Sequence, residues 1–250
     1  MAIDMVIDPD KLHFESPNRS HLRGSKLFGS VFVLFFISMV VWGGVILSNP
    51  DTLPIKQVRI DGDFTHLSPV DLQLLVTDKV RGGFFNLNVD AVRLALLKEP
   101  WVSEVIVKRI WPDALRVIVI EQIPVVRWGD SGLLNPDGEY FSPEKESIPK
   151  GLPLLSGPVG SEHNLLNQFN AMQKQVQPIG FNIASLFLDD RRAWSFHFTN
   201  GIKITLGRRD FEERFNRVLN LIPTTTSGRI DQIESIDMRY TNGFSILWKK

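Results

Sequence analysis

Few residues in this chain have the types and spacing needed for chemistry. Ser142-Pro143-Glu144-Lys145 has the S-x-x-K pattern of penicillin-binding serine enzymes, where a serine at a helix start is activated in a buried cleft. That chemistry also needs S-D-N and K-T-G partners, and neither occurs in the sequence. The prolines around Ser142 predict a loop instead. Asp189-Asp190-Arg191-Arg192 could offer paired carboxylates, but adjacent strand residues point to opposite faces, so the two would not converge. We read these four residues as a solvated turn at a strand end; the alternative is a charged contact patch for a partner. The five histidines, His13, His21, His66, His163 and His197, show no metal-ligand spacing such as i, i+4 on a helix. Cysteine is absent, which removes disulfides, thiolate zinc sites, cysteine nucleophiles and iron–sulfur clusters. No G-x-G-x-x-G, P-loop or G-x-S-x-G occurs. These residues predict no enzyme, no metal and no cofactor.

Composition points the same way. Lys+Arg and Asp+Glu are both 28, giving a formal net charge of zero. A nucleic-acid binder should carry a basic excess, so no nucleic acid is expected as partner, and no small-molecule substrate is suggested. With 250 residues, 43% hydrophobic and 22% charged, the chain reads as folded and built from one or two domains.

The elements that organise the chain begin with one apolar segment. Leu27 to Leu47 reads LFGSVFVLFFISMVVWGGVIL without a charge. At 1.5 Å per residue it reaches about 31 Å, matching a hydrocarbon core of about 30 Å. The run exceeds a signal-peptide core, no A-x-A-like cleavage site follows, and Pro50 ends the helix. A single transmembrane helix over 27–47 is predicted. Arg19, Arg23 and Lys26 precede it and Asp51 is the first charge after it, so residues 1–26 are placed in the cytoplasm and the remainder outside. The tail 1–26 has no hydrophobic periodicity and is expected to be disordered.

Residues 53–123 read as a small α/β unit. Ile55 to Ile60 alternates at period two and stops at Asp61-Gly62. Ser68-Pro69 sets an N-cap and a first helical position, and a second helix starts near Asn88 and closes at Pro100. Val102 to Ile110 and Leu115 to Ile120 form a hairpin across Trp111-Pro112-Asp113-Ala114. The order is β-α-α-β-β, and the unit is expected to fold separately.

Residues 124–250 read as a mixed, mainly antiparallel β domain with helices, so the fold class is α+β. Strands are predicted at Val125–Trp128, Ile183–Leu188, Trp194–Phe198, Ile202–Leu206, Ile233–Tyr240 and Phe244–Trp248. Helices are predicted over His163–Val176 and after Asp210, with Glu213 pairing to Arg217 at i, i+4. Thr199-Asn200-Gly201 and Thr241-Asn242-Gly243 are hairpin turns. A last strand is commonly a sheet edge, whose unpaired N–H and C=O groups a partner strand can complete.

The residues resemble the FtsQ/DivIB family of bacterial cell-division proteins. The likeness lies in the basic flank and span, Pro54 to Gly62, Pro100-Trp101-Val102 and Lys108-Arg109-Ile110-Trp111-Pro112-Asp113. It continues in Pro124 to Trp128, Arg191-Arg192-Ala193-Trp194, Leu206-Gly207-Arg208 and Asp237-Met238-Arg239-Tyr240, and so covers nearly the whole chain. The resemblance implies that 53–123 is a POTRA domain. It also implies a non-enzymatic scaffold of the divisome, a single-pass type II inner-membrane protein with a periplasmic C-terminus at the division septum. It would link early and late division proteins by holding FtsB and FtsL through the β domain. By position, the FtsB contact falls on Arg191, Arg239, Tyr240, Gly243, Phe244 and Trp248, with Asn242 where a serine often stands. The alternative is a periplasmic chaperone or protein-translocation component that also carries a POTRA domain. Outer-membrane assembly proteins of that kind add a many-stranded barrel, which the residues after the span cannot hold.

Overall fold

The computed structural model describes the backbone of residues 22–48, 52–80, 83–225, 229–241 and 243–249. The tail up to residue 21 and Asn242 therefore lie outside the described residues.

Helix α1 runs unbroken over Leu22–Ser48. Its side chains are described over 31–46, and there Phe32, Leu34, Phe36, Val40 and Trp42 are all exposed, around the whole circumference. A helix apolar on every side has no face suited to water. The stretch 31–46 is about 24 Å long, short of a core of about 30 Å, and among the described residues no helix is long and apolar enough to cross a membrane.

The first globular unit is built from β1 (Gln57–Asp61), α2 (Pro69–Thr77), α3 (Val89–Leu96), β2 (Val102–Ile110) and β3 (Ala114–Glu121). Both helices start where short polar side chains free the first turn from its unmet N–H groups. Ser68 Oγ accepts from Asp71 N at 3.4 Å, and Asn88 Oδ1 accepts from Ala91 N at 3.0 Å. The sheet order is β1-β3-β2, with β1 parallel and β2 antiparallel to the central β3. Period two sends Leu115, Val117 and Val119 inward against Leu72, Val76, Val92 and Leu96, all buried. The β-α-α-β-β order is the one read from the sequence.

The second unit comprises β4 (Val126–Trp128), β5 (Gly132–Leu134), β6 (Tyr140–Phe141), β7 (Leu154–Ser156), α4 (Glu162–Val176), β8 (Ile183–Leu188), β9 (Trp194–Phe198), β10 (Lys203–Gly207), α5 (Phe211–Thr225), β11 (Ile233–Asp237) and β12 (Ser245–Trp248). The strands make one sheet in the order β12-β11-β10-β9-β8-β7-β4-β5-β6. Most neighbours are antiparallel, but β10–β11, β7–β8 and β4–β7 are parallel. The apolar stripes of α4 and α5 cover one face: Leu165, Phe169, Met172, Phe215 and Val218 pack on Leu186, Phe196, Ile204 and Ile236. Strand β11 stops at Asp237 and not at Tyr240, because Asp237 Oδ1 accepts from Arg239 N at 3.0 Å and turns the chain.

The two units meet directly. Trp101 is 4% exposed and packs on Leu133 and Phe141 of the second unit. Its Nε1 donates to Ser147 Oγ at 3.1 Å, and Asn135 Nδ2 donates to Gln122 Oε1 at 3.2 Å.

Candidate partner-binding edge

Among the described residues, strand β12 is the terminal strand of the nine-stranded sheet and pairs only with β11. Strand β11 is tied inward: Ile233, Ile236 and Met238 are buried, and Met238 N donates to Thr205 O of β10 at 2.8 Å. The register sets Ile246 opposite Ile236, which holds β12 to the core margin. The outer side of β12 thus offers a row of main-chain groups for a further strand.

Exposed apolar side chains cluster along it. Tyr240 is 58% exposed, Phe244 44%, Leu247 55% and Trp248 42%. Alternation puts Ser245 and Leu247 on the face opposite Ile246. Trp248 shares the Ile246 face and carries the Arg229 guanidinium 5.5 Å from its ring centroid, a cation–π contact. Gly243 is half-buried at the entry to the strand.

The chain entering β12 is fixed from below by α5. Arg217 Nη1 donates to Thr241 O at 3.2 Å and Nη2 to Tyr240 O at 3.5 Å. Arg217 is therefore turned toward the hairpin and not toward Glu213, as helix spacing alone predicts. A main-chain carbonyl on a neighbouring segment offers a fixed acceptor, whereas an exposed i, i+4 pair contributes only a few tenths of a kcal/mol, roughly 0.3–0.5.

Arg239 does not extend freely toward a partner. It forms a two-pronged pair with Asp237, with Nη2 2.6 Å from Oδ2 and Nε 2.9 Å from Oδ1. The guanidinium holds the Asp237 carboxyl below its usual range, against the opposing effect of burial, and Arg239 is raised in turn by the same pairing. Its stem lies over Gly207, where an added Cβ would sit 3.0 Å from Arg239 Cγ and 3.1 Å from Arg214 Nη1. Gly207 has φ +79°, so both its backbone and the space above it suit glycine.

Arg191 is exposed in the turn after β8, apart from the edge. Asp189 closes that turn, its Oδ1 accepting from Ala193 N at 2.7 Å and its carbonyl accepting from Arg192 N at 2.9 Å. This is the solvated strand-end turn of the first reading. An open cleft lined by Asp189, Trp194, Lys203, Thr205, Gly207 and Arg239 separates the turn from the edge. The structure thus sets Tyr240, Gly243 and Phe244 at the hairpin end of β12 with Arg239 beside them, Trp248 at the other end of the strand opposite Ile233, and Arg191 apart in the turn after β8. From sequence, Arg217 has only a helix pairing with Glu213, and Leu247 and Arg229 are not singled out; only the alternation of β12 could have signalled Leu247.

On the open face of the same sheet, Ser185 Oγ lies 2.9 Å from His197 Nδ1 and joins β8 to β9. Burial, aided by the positive charge of Lys203, holds His197 below the usual histidine range, so the ring is neutral at pH 7. Ser142, the S-x-x-K serine, lies in a loop where its Oγ donates to Ser131 O. Among the described residues, no group of three or more His, Cys, Asp or Glu is arranged to hold a metal.

The family models agree with this two-part architecture. Residues 53–122 match the POTRA domain, FtsQ-type, and residues 126–239 match the C-terminal domain of cell division protein FtsQ/DivIB. A cell division protein FtsQ from Coxiella burnetii is 38% identical over 224 residues, covering 90% of this chain and 92% of the relative. One from Methylomonas methanica is 33% identical, covering 87% and 90%, and one from Aliivibrio fischeri is 31% identical, covering 92% and 90%. With near full-length relatives above three-tenths identity and both of its domains matched, the chain belongs to the FtsQ/DivIB family of cell-division proteins.

Proposed function

We propose that this chain is a non-enzymatic scaffold of the divisome that holds FtsB, and through it FtsL, at the edge strand β12. The observation that carries the reading is the terminal position of β12, unpaired on its outer side and flanked by exposed Tyr240, Phe244, Leu247 and Trp248. Such an edge takes an extended peptide by strand addition, in which main-chain hydrogen bonds provide affinity and aromatic side chains provide anchors. Arg191 and the Arg239–Asp237 pair frame the neighbouring cleft, where acidic partner side chains would add specificity more than affinity.

The test is amide hydrogen exchange on the full chain with and without a periplasmic FtsB fragment. Amides of Phe244 to Trp248 should slow markedly on binding. Protection confined to other strands would overturn the edge as the site.

In this reading α1 carries a single membrane span over 27–47, with residues 1–26 cytoplasmic and the two globular units periplasmic, at the division septum. The uncharged run 27–47, the continuous helix over Leu22–Ser48 and the cations before it support that placement. A periplasm-dependent reporter fused after Lys250 should be active; activity only from a cytoplasmic reporter would reverse the topology. The unit boundaries 53–123 and 124–250 belong to the same proposal.

A further inference from the structure

One end of the POTRA domain is unusually apolar for a surface in water. Four contacts define this end. Phe84 N donates to Leu53 O at 2.8 Å, Pro54 bridges Gly83, Lys56 N donates to Asp113 O at 2.8 Å, and Arg109 Nη2 donates to Leu87 O at 2.8 Å. They gather the chain entering β1, the loop before α3 and the tip of the β2–β3 hairpin. On this end Trp111 is 74% exposed, Phe85 52% and Ile110 46%. Phe84, beside Phe85, is buried at 7%, so the loop already has its core anchor and Phe85 is surplus to it. The turn itself uses ordinary turn residues in Pro112 and Asp113, but Ile110 and Trp111 beside them leave two large apolar side chains in water.

The cations at this end are Lys56, Lys79, Lys108 and Arg109, all exposed. The acidic groups among the described residues are Asp78, Asp90 and Asp113; Asp113 is paired with Lys56 at 3.3 Å and Asp90 shares a shallow pocket with Arg109. An aromatic and aliphatic tip ringed by Lys and Arg suits the interface of a bilayer, where indole rings settle at headgroup level and cations meet anionic phosphates. The chain also limits where this end can go. Only four residues lie between Ser48, the end of α1, and Leu53, so Leu53, five residue steps on, lies at most about 18 Å from the helix end.

We infer that the β2–β3 tip, with Trp111 at its head and Ile110 and Phe85 beside it, rests in the headgroup layer of the bilayer that α1 crosses. The inference rests on the reading of α1 as a span. Docking the tip gives the POTRA domain a second point of attachment and so fixes the tilt of the whole exported arm relative to the membrane. One helix and a short link alone would leave that arm free to swing.

The six tryptophans of the chain allow a direct test. The full chain is labelled with 5-fluorotryptophan and placed in nanodiscs of anionic phospholipid carrying a nitroxide near the glycerol level. Fluorine resonances are assigned by Trp→Phe replacement. Trp42 reports the span, Trp111 the tip and Trp248 the distal sheet edge. Severalfold faster relaxation of both Trp42 and Trp111, with Trp248 unchanged, is the expected result. Relaxation of Trp42 alone would overturn the inference and leave the span intact. If Trp42 is also unaffected, the span fails and the tip contact fails with it. Shielding of Trp111 that appears only after division proteins are added would also overturn it, making the tip a protein contact.

Discussion

The imidazole of His66 lies flat on the indole of Trp101, with ring centroids 3.8 Å apart and planes 2° from parallel. His66 belongs to the loop between β1 and α2, and Trp101 turns its other edge to Phe141 of the second unit, centroids 5.4 Å apart. One indole therefore couples a POTRA loop to the β domain. Trp101→Ala should lower stability by about 3–5 kcal/mol, the scale of a buried aromatic lost to a cavity. Calorimetry of the full chain in detergent should then show two separated transitions for the two units. A single transition near the wild-type temperature would contradict the coupling.

Glu121 secures the same joint. Its carboxylate accepts from the backbone N–H of Thr65 at 2.9 Å, of His66 at 3.0 Å and of Leu67 at 3.4 Å, and lies 2.7 Å from His66 Nδ1. Burial pushes this carboxyl up, but the His66 side chain and the three N–H groups together outweigh burial and hold it below the usual range. As pH falls, the unfolded chain takes up the proton first. The stabilisation from Glu121 is thus complete above the ordinary glutamate range and is lost as pH drops through the depressed folded value. Melting curves against pH should show this acid limb flattened in Glu121→Gln, with a loss of about 1.5–3 kcal/mol at neutral pH. An unchanged limb would mean that other carboxylates, such as Asp237, account for it.

At the edge, Tyr240→Ala and Leu247→Ala should each weaken FtsB-fragment binding by about 2 kcal/mol, or about thirtyfold, with little change in melting temperature. Trp248→Ala should weaken binding and also destabilise the fold, because its ring carries Arg229 and shares the Ile246 face. Calorimetric titration of folded variants separates the two effects. Unchanged affinity in all three would remove the edge from consideration.

Gly207→Ala should cost about 1–2 kcal/mol from backbone conformation alone, and the new methyl must push Arg239 aside. The expected signature is a lower melting temperature together with a weaker salt dependence of partner binding, since Arg239 would leave its place beside the cleft. A variant as stable as wild type would show that the Arg239 stem moves without consequence.

Much of the POTRA domain was legible because its signals are local. Ser68 and Asn88 cap the helices, Pro100 closes the second, and the hairpin strands alternate in period two. The final strand as an edge was legible for the same reason, from Asn-Gly turn chemistry and position. The parallel pairing of β10 with β11 was not, since α5 intervenes and no residue near either strand encodes its distant neighbour. The short strands β5, β6 and β7 were hidden among prolines and glycines. Arg239 looked free because a partner two residues away, Asp237, lies across a turn whose geometry appears only once β11 ends. His66 and Trp101 lie far apart in sequence, and nothing local in either signals a stacked pair.

The parallel step from β10 to β11 also sets an order of assembly. The chain must travel through the whole of α5 before β11 can return beside β10, and β12 can pair only after β11 is in place. Contacts that close long loops form late, because their ordering cost precedes their gain. During synthesis from the N-terminus, the β12 edge is therefore the last part of the sheet to exist. On the proposed function, a partner strand that adds to this edge would select chains whose β domain has already finished folding.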